Sequence, residues 1–273
     1  DVYKRQDNGD KAVFDYTAQF DKAEINADNI LVTEEEIKEA YEEVDDELIK
    51  VIRKAIKNIR DFHEKQIQKS WFETREDGVM LGQKVTPMET CGVYVPGGKA
   101  VYPSSVLMNI VPAHVAGVKN IIMTTPPGKD GKVTANTLVA AKEAGATKVY
   151  KVGGAQAIAA MAFGTESIPK VDKIVGPGNI FVALAKKAVY GNVSIDSIAG
   201  PSEILVLADE TANPRYVAAD LLSQAEHDEM ASAILVTTSE ELAHKVSDEI
   251  DGFLNQLSRK EIMEKSLDSF GYI

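Results

Sequence analysis

From Cys91 onward, short apolar runs that stop at glycine or proline alternate with alanine-rich stretches of helical period. The runs predict strands at 92–95, 120–124, 148–152, 173–175 and 204–207. Between them the spacing predicts helices near 105–116, 135–144, 155–162 and 180–190. A further unit follows: helix 214–229, strand 233–237, and a helix opened by Ser239 with Leu242, Val246, Ile250 and Leu254 on one face. Strand–helix alternation of this kind builds βαβ units, because a parallel neighbour is reached only by a crossover. The fold class is therefore α/β with parallel sheets.

Upstream the pattern differs. Thr33-Glu34-Glu35-Glu36 reads as a capping box. A helical pattern follows through Ile37, Tyr41, Val44, Leu48, Ile52, Ile56, Ile59 and Phe62, with a charged opposite face. Asp77-Gly78, flanked by Trp71–Arg75 and 79–85, predicts a hairpin that Pro87 closes. With 273 residues, two domains are expected. Forty-two acidic against 30 basic residues give a net charge of -12, which argues against a general nucleic-acid binder. No apolar run approaches a membrane span of about 18 residues, and the polar first twenty residues do not read as a signal peptide. The lone Cys91 forms no intrachain disulfide, in keeping with a reducing cytoplasm. The chain opens at Asp1 and closes on Phe270-Gly271-Tyr272-Ile273, the apolar start of an element; both ends read as cut from a longer protein.

In parallel sheets, ligands bind beyond the carboxyl ends of the strands, so the connecting loops carry the candidates. Those loops are Pro96-Gly97-Gly98, Thr125-Pro126-Pro127-Gly128, Gly153-Gly154-Ala155-Gln156 and Gly176-Pro177-Gly178-Asn179; Gly200-Pro201-Ser202-Glu203 stands just ahead of a strand. Each glycine pair is either a tight turn or a cradle where helix amides meet an anionic cofactor. Neither the G-x-G-x-x-G nor the P-loop pattern is present. Gln156 and Asn179 would add amide hydrogen bonds there. Gln224 and His227 stand i and i+3 near a helix carboxyl end, as two metal donors or as a histidine that merely stabilises the helix dipole. His63 and His244 read as surface residues, and His114 is ambiguous. Cys91 is either a thiol nucleophile or a buried inert cysteine.

Taken in order, six motifs resemble the histidinol dehydrogenase family. They are Gly92-Val93-Tyr94-Val95-Pro96-Gly97-Gly98; Val152-Gly153-Gly154-Ala155-Gln156 with Ala157-Ile158-Ala159-Ala160; Phe163-Gly164-Thr165-Glu166; Val171-Asp172-Lys173-Ile174-Val175-Gly176-Pro177-Gly178-Asn179; Ala199-Gly200-Pro201-Ser202-Glu203; and Asp220-Leu221-Leu222-Ser223-Gln224-Ala225-Glu226-His227. The resemblance implies two Rossmann-like parallel-sheet domains, in an aldehyde dehydrogenase-like architecture, with an N-terminal helical region. It puts 1–90 (helical region and hairpin) in a first α/β domain, 91–203 in an inserted Rossmann-like domain, and 204–273 back in the first, incomplete at its C-terminus. It also implies a cytoplasmic homodimer that uses Zn2+ and NAD to oxidise L-histidinol, through the aldehyde, to L-histidine, the last step of histidine biosynthesis. Tyr94, Gln156 and Asn179 match cofactor-binding positions. Ser202 matches a substrate contact, and Gln224 and His227 match zinc ligands that also touch substrate. The family's catalytic Glu-His pair and its remaining zinc ligands, an aspartate and a histidine, lie downstream of anything matched here. No catalytic residue is therefore assigned, and the chain alone is expected to be inactive. Two rival readings are an aldehyde dehydrogenase-like enzyme using Cys91 and a non-catalytic nucleotide-binding fragment.

Overall fold

The computed structural model describes residues 2–97, 103–198, 200 and 202–273, with side chains from residue 8. Gly98, Ala199 and Pro201, quoted above from the glycine-rich motifs, lie outside the described residues. The elements in chain order are α1 (Val2–Phe20), α2 (Glu34–Glu43), α3 (Asp46–His63), β1 (Trp71–Thr74), β2 (Met80–Gln83), β3 (Thr90–Tyr94), α4 (Pro103–Val115), β4 (Asn120–Thr125), α5 (Ala135–Ala144), β5 (Lys148–Lys151), α6 (Gly154–Phe163), β6 (Lys173–Val175), α7 (Ile180–Val189), β7 (Ser194–Ile195), β8 (Glu203–Ala208), α8 (Pro214–Ala225), β9 (Ser232–Thr237), α9 (Glu240–Leu254), α10 (Lys260–Phe270) and β10 (Gly271–Tyr272). They form two compact units, Asp1–Ile198 and Ala199–Ile273.

The first unit is built on a parallel sheet ordered β5-β4-β3-β6-β7. Helices α2 to α5 close one face over Val93, Ile121 and Met123, and α1, α6 and α7 close the other over Ile122, Tyr150 and Ile174. Burial on both faces explains why these strands read as unbroken apolar runs rather than alternating ones. The hairpin β1–β2 pairs antiparallel, with Gly78 at φ +82° in its turn and all eight strand residues exposed.

The predicted run from Ile37 to Phe62 breaks in two. Val44 is extended, and the Asp45 carboxylate accepts from the Glu47 N–H at 2.9 Å, so a new helix starts there. The capping box at Thr33 and Glu36 forms as expected, with hydrogen bonds of 3.2 and 2.9 Å. The N-terminal elements sit with the five-stranded sheet. The reason is local bonding. Val32 N–H donates to Val149 O at 2.9 Å and Lys151 N–H to Ile30 O at 2.8 Å, so this segment lines edge strand β5. Arg53 donates twice to Glu143, at 2.8 Å each, and Tyr41 Oη donates to the same carboxylate at 2.8 Å. Burial and then the Glu143 charge push the Tyr41 hydroxyl up to about 12.

The second unit holds a parallel sheet ordered β10-β9-β8. Helices α8 and α9 close it over Leu221, Leu235, Leu242 and Val246. Strand β8 alternates between half-buried and exposed residues, and Leu207 is 77% exposed. Strand β10 lies in 270–273, where the sequence reads as the start of an element, whereas the two residues of β7 are too few to register as a periodic pattern, and α10 has no counterpart in the sequence reading.

Candidate functional site

Strand β3 leads through α4 to β4 on one side, and β6 leads through α7 to β7 on the other. The chain thus diverges between two hydrogen-bonded neighbours, and a crevice opens at their carboxyl ends. A cavity of about 1060 Å³ lies there. Its floor and rim come from Tyr94 at the end of β3, the 125–128 loop after β4, Gly154–Gln156 after β5, and Asn179 after β6. Helices α1 and α2 add the outer wall, including Tyr16, Phe20, Glu36 and Glu39, with Asp21 just beyond α1.

Two glycines show how tightly this rim is assembled. Gly176 has φ +115°, and a Cβ on it would lie 2.0 Å from the Tyr94 carbonyl oxygen. A Cβ on Gly153 would lie 2.4 Å from the Pro126 side chain. The turns are tight because the loops stack on one another, and that same stacking forms the cradle. The Gly176 turn is also held by side chains: its N–H donates to Asp196 Oδ2 at 2.8 Å, and its carbonyl accepts from Lys186 Nζ at 3.0 Å. Lys186, 3% exposed, is ion-paired with Asp196. The sequence reading missed this clamp. Its signal was a lysine four residues after Val182 and three before Val189, inside the apolar stripe of α7.

Tyr94, Gln156 and Asn179 all line the cavity. Tyr94 Oη accepts from the Gly154 N–H at 3.1 Å, and burial pushes its pKa up to about 12, so it remains a neutral hydroxyl able to donate. Gln156 is 2% exposed, in the first turn of α6. The N-cap residue of that helix, Gly153, has no side chain to cap it, and of the first-turn amides Tyr94 Oη takes that of Gly154. Asn179 caps α7 instead. Its Oδ1 accepts from the Phe181 and Val182 N–H groups at 3.1 Å each, so its amide nitrogen is the group left for a ligand. Opposite them, Glu36 pairs with buried Lys151 at 2.5 Å. Burial alone would raise the Glu36 carboxyl, but Lys151 and the Thr33 hydrogen bonds outweigh it and hold the group below its usual range. Volume, glycine cradle and polar fittings together suit a dinucleotide.

The other three candidates lie in the second unit. Ser202 is exposed just before β8, and its carbonyl accepts from the Ser232 N–H at 3.3 Å. Gln224 is half-buried at the end of α8, and His227 is exposed in the turn towards β9. All three stand at the amino ends of β8 and β9, because α8 returns the chain to that edge before the next parallel strand. Gln224 and His227 offer an amide oxygen and an imidazole, two neutral donors of the four that zinc takes. Among the described residues no group of three or more His, Cys, Asp or Glu is placed to hold a metal. The pair therefore fits part of a zinc shell and not a whole one.

The nucleophile reading of Cys91 is overturned. The residue is 4% exposed in the core beneath α2 to α5, and burial pushes its thiol up to about 11. His114 and His244 are exposed, and half-buried His63 lies 2.6 Å from Gln66 Oε1. Among the described residues no helix is long and apolar enough to cross a membrane.

Residues 2–273 match the family model of histidinol dehydrogenase. Histidinol dehydrogenase of Bacillus subtilis (strain 168) is 61% identical over 266 residues, covering 97% of this chain and 62% of that protein. That of Clostridium acetobutylicum is 60% identical over 268 residues, covering 98% and 62%. The crystal structure of histidinol dehydrogenase from Elizabethkingia anophelis superposes with a TM-score of 0.93 at 44% identity, over 100% of this chain and 63% of that one. The chain thus spans about three-fifths of the length of these relatives.

Proposed function

The chain belongs to the histidinol dehydrogenase family, and on that premise we propose that it serves the NAD-linked oxidation of L-histidinol, through the aldehyde, to L-histidine. The observation that carries this reading is the convergence of Tyr94, Gln156 and Asn179, from three separate strand ends, on one cavity at the sheet's switch point. NAD, when bound, supplies the hydride acceptor. The chain's own groups bind and orient it: the Tyr94 hydroxyl and the Gln156 and Asn179 amides donate or accept at its edges, and the amino end of α6 faces its anionic part.

Ser202 is assigned to substrate contact. Gln224 and His227 are assigned both to substrate and to a zinc ion, of whose shell they hold two positions; the ion, when bound, supplies a Lewis-acidic anchor for the substrate's amine and imidazole. None of the residues present is assigned a proton-transfer role. A cytoplasmic homodimer completes the proposal.

Calorimetric titration with NAD and, separately, with zinc tests the assignment. Gln156→Ala is expected to weaken NAD by about tenfold and leave zinc untouched; His227→Asn is expected to weaken zinc at least tenfold and leave NAD untouched. If both substitutions leave both ligands unchanged, the assignment is wrong. Turnover of histidinol by the purified chain with NAD would overturn the absence of a catalytic assignment.

A further inference from the structure

Asp21 is the first residue past α1, on the outer wall of the cavity that Tyr94 helps floor. Its N–H closes the helix by donating to Thr17 O at 2.9 Å, and Lys22, at φ +58°, then turns the chain away. The carboxylate therefore stands at a helix carboxyl end, where the dipole disfavours negative charge. Its Oδ2 is buried and has no hydrogen-bond partner, the one such side-chain atom among the described residues. A buried polar atom left unmatched costs free energy and calls for an explanation. Here burial raises the Asp21 pKa, and the same carboxylate reaches far enough to help raise that of Tyr94 across the cavity. Beside it, the rings of Tyr16 and Phe20 stack at 5.8 Å with planes 4° apart and present a flat apolar wall. An acceptor without a donor, next to an aromatic wall, matches a sugar hydroxyl attached to a planar base.

We propose that Asp21 is a specificity-determining contact that accepts hydrogen bonds from a ribose hydroxyl pair of the bound dinucleotide, an inference that rests on the cavity being the NAD site. The walls carry five carboxylates, Asp21, Glu36, Glu39, Glu43 and Asp130, against the ammonium groups of Lys129 and Lys132. Lys132 is already paired with Glu39 at 3.2 Å. A phosphate in place of a hydroxyl beside Asp21 would remove the donor and bring like charges together.

The experiment measures dissociation constants of NAD, NADP and nicotinamide mononucleotide for the unaltered chain, Asp21→Asn and Asp21→Ser. Thermal melts confirm folding, and both variants are expected to melt no lower than the parent because they remove an unmatched charge. The expected result is NAD binding weakened about tenfold in both variants, as for loss of a charge-assisted hydrogen bond. If the adenosine ribose is the partner, the parent's preference for NAD over NADP shrinks by a similar factor. If it is the nicotinamide ribose, binding of the mononucleotide weakens instead. NAD binding that depends on Gln156 but is indifferent to both Asp21 substitutions would sink this inference alone. No NAD binding by the unaltered chain would sink the cofactor reading and this inference with it.

Discussion

The two units carry their candidate residues at opposite ends of their parallel sheets. In the first, Tyr94, Gln156 and Asn179 follow or terminate strands at the carboxyl edge, inside a cavity whose loops are stacked, clamped and capped. In the second, Ser202, Gln224 and His227 cluster at the amino edge of β8 and β9. The first sheet is covered on both faces, whereas β8 leaves Leu205 and Leu207 exposed. The contrast teaches that one unit preforms a shaped recess while the other presents donors on its surface. A recess can select a large ligand by shape before binding, whereas surface donors depend on the ligand to complete their geometry.

The sharpest way to break this contrast is to add one methyl group to a glycine in each unit. Gly176→Ala forces a Cβ onto the Tyr94 carbonyl at a positive φ, so a loss of at least about 3 kcal/mol is expected in urea unfolding, with NAD binding abolished. Lys186→Met tests the clamp behind that turn. It leaves Asp196 and the Gly176 carbonyl without their buried partner, and a loss of about 3 kcal/mol is expected. Simple repacking around the methionine, with stability unchanged, would show that the clamp is dispensable.

A smaller effect sharpens the picture of how α2 and α3 are tied to the first sheet. Arg53 first, and the Tyr41 hydrogen bond with it, hold the Glu143 carboxyl below its usual 4.5, against the opposing effect of burial. A depressed folded-state pKa contributes stability that is present above the unfolded value and lost as pH falls through the folded one. Stability is therefore expected to decline below about pH 4.5, and Glu143→Gln to flatten that decline by about 1 kcal/mol in acid melts. If the parent and the variant lose stability in parallel, the tie is not what acid breaks. The smallest change belongs to the second unit's partner in the glycine comparison. A Cβ on Gly200 meets nothing within 4 Å, so Gly200→Ala is expected to alter stability by no more than about 0.5 kcal/mol.

Much of this was legible in the chain itself. Continuous apolar runs announced strands buried on both faces, and the glycine and proline stops placed their ends within a residue or two, as at 173–175 and 120–124. The capping box at Thr33 and the Asp77-Gly78 turn were equally plain, because each depends on residues no more than three apart. The six motifs carried the family resemblance for a similar reason: they are local strings. What only the tertiary structure decided involves partners far apart in sequence. Asp21 meets the cavity more than seventy residues before Tyr94, and Lys186 closes on Gly176 only after α7 has folded back on its sheet. The docking of 30–32 on β5 belongs to the same class. Periodicity and turn chemistry record what a residue does to its neighbours. The match between a buried charge and its distant partner exists only once packing has removed the water between them.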